Sequence, residues 1–196
     1  MNHLLSKIGS YPFEKLNLLH KDIKPSKEVI NLSIGEPKLN ADSKVLDILN
    51  KETNSFSNYP PMNAVPELSE AYRQYLKSHF GIENVAEDEV CLVAGTREGT
   101  FSIIQALFNK ENVKEKPYVV MPNPFYQIYG GATTLAGGEA KFLDCPQEDN
   151  FQLDLDSLKS EDWQKCQILV LCSPNNPTGS VLPPVSYTHL RAHETV

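Results

Sequence analysis

The sequence has no C-x-x-C pair, no long apolar run and no excess of basic residues. Its four cysteines are Cys91, Cys145, Cys166 and Cys172, and their spacings suit neither a zinc site nor a thioredoxin-type redox centre. Cys91 and Cys172 lie within apolar runs, where a thiol serves as a small buried hydrophobe. Unpaired thiols of this kind point to a reducing, cytoplasmic compartment. No stretch approaches the ~18 apolar residues of a membrane-spanning helix. Residues 1–10 lack the apolar core and small-residue cleavage site of a leader. Lys and Arg number 18 against 25 Asp and Glu, for a net charge of −7. That balance lacks the basic surplus with which general nucleic-acid binders meet phosphate backbones. Internal repeats and low-complexity tracts are also missing.

What is present is globular composition, 40% hydrophobic and 22% charged over 196 residues, with material for one core. Phe13, Leu16, Leu19 and Ile23 recur at helical spacing and predict a helix over residues 11–23, with Leu18 off that face. Residues 29–34 are a short apolar stretch ending in a turn at Gly35-Glu36-Pro37, and residues 43–51 suit another short helix. The clearest helix spans residues 66–81, with Pro66 in its first turn and Gly81 ending it. From Glu89 onward strands and helices alternate. Strands are expected at 90–94, 117–121, 139–143 and 167–172, and helices at 97–108, 125–136 and within 153–163. Ile168-Leu169-Val170-Leu171 is apolar without alternation, the pattern of a parallel strand covered on both faces. The fold class expected is α/β, a mostly parallel sheet flanked by helices.

Three segments carry chemistry. Ala94-Gly95-Thr96-Arg97-Glu98-Gly99 follows a strand and opens a helix. A helix N-terminus offers unpaired N–H groups and a partial positive charge of roughly +0.5. Gly95 lets the backbone approach a ligand, and Thr96 adds a hydroxyl; together they suit a phosphate group. A plain capped helix after a turn would use the same residues. Cys172-Ser173-Pro174-Asn175-Asn176-Pro177-Thr178-Gly179 follows the last strand, at the sheet edge where open α/β sheets bind ligands. Pro174 and Pro177 stiffen it and turn the Asn176 amide outward as a donor. A generic Asn-Pro-Gly turn is the plainer alternative. Pro122-Asn123-Pro124-Phe125-Tyr126 ends the second strand with a ring able to stack on a flat heteroaromatic ligand, or simply to pack in the core.

Asn31-Leu32-Ser33-Ile34-Gly35-Glu36-Pro37, Tyr59-Pro60-Pro61, Pro66-Glu67-Leu68, Gly95-Thr96-Arg97-Glu98, Pro122-Asn123-Pro124-Phe125-Tyr126 and Ser173-Pro174-Asn175-Asn176-Pro177-Thr178-Gly179 stand in the order seen in class I/II aminotransferases of pyridoxal 5′-phosphate (PLP) fold type I. The resemblance covers residues 10–182. Within the family, Tyr11-Pro12-Phe13-Glu14-Lys15-Leu16 through Tyr126-Gln127-Ile128-Tyr129 is most similar to bacterial succinyldiaminopimelate aminotransferases of lysine biosynthesis.

The resemblance implies the following roles. Gly95, Thr96 and Arg97 would hold the PLP phosphate, mainly through backbone N–H groups. Tyr126 would stack on the pyridine ring, and Asn176 would donate to its phenolic oxygen. Gly35 would lie by the substrate carboxylate, and Tyr59 would reach the phosphate of a neighbouring subunit in a homodimer. The substrates implied are small molecules, an amino acid and a 2-oxo acid, with no nucleic acid, membrane or metal. The peptide bond before Pro177 is a candidate for the cis form. One departure is visible: Asn63-Ala64-Val65 stands before Pro66 where the family usually has glycine.

The same resemblance implies a piece of a larger protein. The family's Schiff-base lysine, pyridine-pairing aspartate, tyrosine and substrate-binding arginine all follow the Asn-Pro-Thr-Gly loop, and only residues 180–196 follow it here. None of those roles is carried onto this chain, and the fragment is expected to be inactive by itself. The expected organisation is an arm and helix over residues 1–40, an incomplete PLP-binding domain over 41–183, and a tail at 184–196 that fits nothing in the family and resembles translated adapter sequence. His189 and His193 are four apart in that tail but have no evident third ligand. Other fold type I chemistry, C–S lyase or cyclase, and a non-catalytic phosphate-binding role are the competing readings.

Overall fold

The computed structural model describes residues 2–59, 65–109, 111 and 116–193. Two compact units divide the chain. One is Ser10–Val93; the other joins Met1–Gly9 to Ala94–Val196.

The Ser10–Val93 unit is helical. Helix α1 (Pro12–His20) and helix α2 (Ser43–Lys51) are each a few turns long. The Asp42 side chain caps α2 by accepting from the Lys44 N–H at 2.8 Å. Helix α3 (Pro66–Phe80) runs between the two punctuation marks read in the sequence, Pro66 in its first turn and Gly81 at its end. Gly81 has φ of +66°, and its N–H reaches the carbonyls of Leu76 and Lys77. That left-handed cap is the conformation glycine adopts without steric cost. Residues 90–94, expected as a strand, form none. A strand exists by virtue of a ladder partner, and the three strands among the described residues pair only with one another.

The second unit holds the sheet. Its elements are α4 (Thr96–Leu107), β1 (Tyr118–Asn123), α5 (Ile128–Ala136), β2 (Glu139–Asp144), α6 (Ser160–Lys165), β3 (Cys166–Leu169) and α7 (Pro184–His193). The strands are parallel in the order β2-β1-β3. Tyr118 pairs with Glu139 and Asn123 with Asp144; on the other side Val119 pairs with Ile168.

Alternation along β1 builds two cores. Val119 and Met121 face Phe108 and Tyr129, while Val120 faces Leu143 and Leu158 on the reverse side. All three β1 residues are fully buried. Burial of this kind contributes roughly 1.5–3 kcal/mol per large apolar side chain. The strand covered on both faces is therefore β1, not the segment 168–171, whose residues are half-buried because β3 lies at the sheet edge.

Candidate functional site

Parallel strands end on the same side, so the loops after β1 and β3 emerge together. Beyond β3 the Val170 N–H still bonds the Val120 carbonyl at 2.8 Å, carrying the chain to Cys172 beside the end of β1. Three segments converge at this edge: the start of α4, the loop from Pro124 to Gln127 and the loop from Cys172 to Gly179.

Gly95 is the N-cap of α4 with φ of +155° and, as a glycine, brings no side chain to cap the helix. A Cβ at Gly95 would stand 2.8 Å from Glu98 Oε2 and nothing else within 3 Å. In that direction the Gly95 backbone faces only the Glu98 carboxylate, which folds toward the helix start. Thr96 and Arg97 are exposed. From the first turn of α4, Arg97 Nε donates to the Tyr126 hydroxyl at 3.0 Å. The guanidinium carbon lies 6.0 Å from the Tyr126 ring centre. The sequence-derived phosphate and ring residues thus touch.

Tyr126 packs edge-on against Tyr129, with ring centres 5.7 Å apart and planes at 89°. Tyr129 is buried, and its hydroxyl pKa is pushed up to about 12, first by burial, then by the neighbouring Cys172 thiol and by Tyr126. Tyr129 therefore links α5 to the segment after β3. Tyr126 lies two residues before α5, so no helical spacing in the sequence ties the two rings together.

The loop after β3 is anchored by Asn175, a residue passed over in favour of its neighbour. Asn175 is buried; its N–H bonds the Ser180 carbonyl at 2.8 Å, and its carbonyl accepts from the Gly179 N–H at 2.7 Å. Its Nδ2 donates to Thr178 Oγ1 at 3.0 Å and reaches the Pro124 carbonyl at 3.5 Å, tying this loop to the one after β1. Asn175 Oδ1 has no hydrogen-bond partner. The space beneath the loop is only about 10 Å³, lined by Pro122, Cys145, Cys172 and Asn175 among others, so the loop is packed from below. Asn176 is left exposed at its tip. The bond before Pro177 is cis, as read, and so are Asn123-Pro124 and Ser173-Pro174.

Burial raises the thiol pKa of Cys145 and of Cys166. Behind the sheet, the hydrogen bond from Lys141 holds Asp162 below its ordinary pKa, across a 2.9 Å ion pair.

Gly35 and Tyr59 belong to the other unit, and both are exposed, Tyr59 completely. Pro60, Pro61, Asn63 and Ala64 lie outside the described residues, as do the side chains of His189 and His193. Among the described residues no cluster of three His, Cys, Asp or Glu could hold a metal ion, and no helix is long and apolar enough to cross a membrane.

The family model for aminotransferase class I and II matches residues 27–195. The LL-diaminopimelate aminotransferase of Natranaerobius thermophilus is 29% identical over 190 residues, 95% of this chain and 48% of that protein. The chain spans about half the length of the curated relatives it matches. Among solved structures, an aminotransferase from Neisseria meningitidis is 37% identical with a TM-score of 0.90, over 99% of this chain and 49% of its own. The aminotransferase AspB of Helicobacter pylori is 32% identical with a TM-score of 0.85, over 96% of this chain and 50% of its own.

Proposed function

The chain belongs to the class I and II aminotransferases, and from that premise we propose that it supplies the phosphate and ring contacts of a PLP site in an enzyme exchanging an amino group between an amino acid and a 2-oxo acid. The observation that carries this reading is the Arg97–Tyr126 hydrogen bond, which brings the glycine-capped start of α4 and an aromatic ring together at the carboxyl edge of a parallel sheet. The residues present fit the cofactor. Gly95 has no Cβ at the helix start, the one group facing that position is the carboxylate of the exposed Glu98 side chain, and the first N–H groups of a helix point outward along its dipole, as a phosphate requires. When bound, the pyridine ring supplies an electron sink for the bond that breaks at the substrate Cα.

In this reading the Gly95, Thr96 and Arg97 backbone binds the phosphate, the Tyr126 ring orients the pyridine and excludes water from one face, and Asn176 donates a hydrogen bond to the ring oxygen. Gly35 lies by the substrate carboxylate, and Tyr59 completes the phosphate site of a second subunit in a homodimer. The cytoplasm is the compartment proposed. The substrate pair proposed is succinyldiaminopimelate and 2-oxoglutarate. The motif run from Tyr11 to Tyr129 supports that pair, and relatives named LL-diaminopimelate aminotransferase support the diaminopimelate part of it without the succinyl group.

The test is a calorimetric titration of the chain with 4′-deoxypyridoxine 5′-phosphate, which has no aldehyde for surface lysines to capture. Saturable binding at one site, competed by inorganic phosphate, is expected. A chain that takes up no ligand contradicts the proposal.

A further inference from the structure

We propose that the Arg97 side chain is a positioning residue: through the hydroxyl it fixes where the far end of the Tyr126 ring sits, and its effect on a bound pyridine compound travels through that ring. The inference rests on the reading of the site given above and extends it, since that reading assigns Arg97 only a backbone role.

Three observations carry it. Arg97 Nε meets the Tyr126 hydroxyl at 3.0 Å, within hydrogen-bonding range for a charged donor. The guanidinium carbon stands 6.0 Å from the ring centre, at the outer limit of a cation–π contact, so the hydroxyl is the point of attachment. On another side Tyr129, itself buried, meets the same ring edge-on at 5.7 Å. A tyrosine has two side-chain torsions: the hydroxyl lies on the axis of the second, so the Arg97 bond restrains the first, and the edge-on contact with Tyr129 restrains the second. The ring is then preorganised for stacking, and ordering it adds little to the cost of binding. Arg97 is rooted in the first turn of α4, so the same residue couples the ring's orientation to the helix end whose amides face the phosphate.

The experiment is a double-mutant cycle on the full chain, using Arg97→Met, which keeps much of the stem without the donor, Tyr126→Phe, which keeps the ring without the hydroxyl, and the pair together. Each protein is titrated with 4′-deoxypyridoxine 5′-phosphate and with inorganic phosphate. Each single variant is expected to lower the affinity for the ring compound about three- to tenfold relative to that for inorganic phosphate, as one lost hydrogen bond implies. Arg97→Met is expected to add nothing to that ratio in the Tyr126→Phe background. Equal weakening of both ligands by Arg97→Met, or an undiminished effect in the Phe background, overturns the proposal. A ligand-free readout separates it from the functional reading. Near-ultraviolet circular dichroism should change in each single variant and change no further in the double. If the parent binds neither ligand while the spectra remain non-additive, the cofactor reading falls and the positioning pair stands. Additive spectra overturn the pair.

Discussion

Among the described residues, Tyr129 has a phenol held well away from its ordinary behaviour. Its hydroxyl loses a proton near 10 in an unfolded chain and about 12 here, because burial and the adjacent Cys172 penalise the anion. The folded chain therefore keeps a proton that the unfolded chain gives up. The stabilisation is complete below pH 10 and disappears as pH rises through about 12. Denaturant unfolding across that window should show stability falling more steeply with pH in the parent than in Tyr129→Phe. Parallel slopes would mean that the phenol is not held in a folded apolar setting. Asn176 and Asn175 show what single residues do and do not disclose. Both are asparagines beside a proline-rich turn, and only the fold divides them into an exposed tip and a buried anchor. Glu98 was legible as part of a motif, but its carboxylate lying over Gly95 is a matter of side-chain torsion that spacing does not encode.

At the scale of elements, the segments with strong local punctuation were readable. Helix α2 occupies residues 43–51, the segment expected as a short helix, and α3 lies between Pro66 and Gly81 as read. The failures belong to strands, since pairing is not a local property. Residues 90–94 are apolar enough for a strand yet join no ladder, and β3 is a half-buried edge although its sequence reads as a central strand. The loop after β3 is the element on which the site most depends. Thr178 Oγ1 passes a hydrogen bond to Ser180 Oγ at 3.2 Å, and Ser180 Oγ donates to the Phe151 carbonyl at 3.0 Å. Asn175 Nδ2 enters that chain at Thr178. Asn175→Ala should lower stability by about 1 kcal/mol, a net figure for one buried hydrogen bond. It should also erase the preference for a ring-bearing phosphate over inorganic phosphate, since Asn176 loses its fixed position. Urea unfolding and the two titrations measure both effects. An unchanged preference would show that Asn176 is placed by its prolines alone.

At the scale of the whole molecule the two units differ in how their apolar residues are used. Every buried apolar residue of the core belongs to the unit containing the sheet, whereas Ser69 is the one buried residue among those described in Ser10–Val93. On α2, Val45, Leu46, Ile48 and Leu49 are all exposed. The α/β class followed from alternation alone, and the family from six motifs in order. The contact that makes a site of three separated segments, Arg97 on Tyr126, became visible only in the fold. The central claim is that one ligand touches the start of α4 and the Asn176 tip together. A ¹H–¹⁵N correlation spectrum recorded during titration with 4′-deoxypyridoxine 5′-phosphate tests it most directly. The account predicts that the backbone amides of Gly95, Thr96 and Arg97 and the side-chain amide of Asn176 shift in one saturating step with a common dissociation constant. Shifts at the helix start without any at Asn176, or at Asn176 with a different constant, would contradict it.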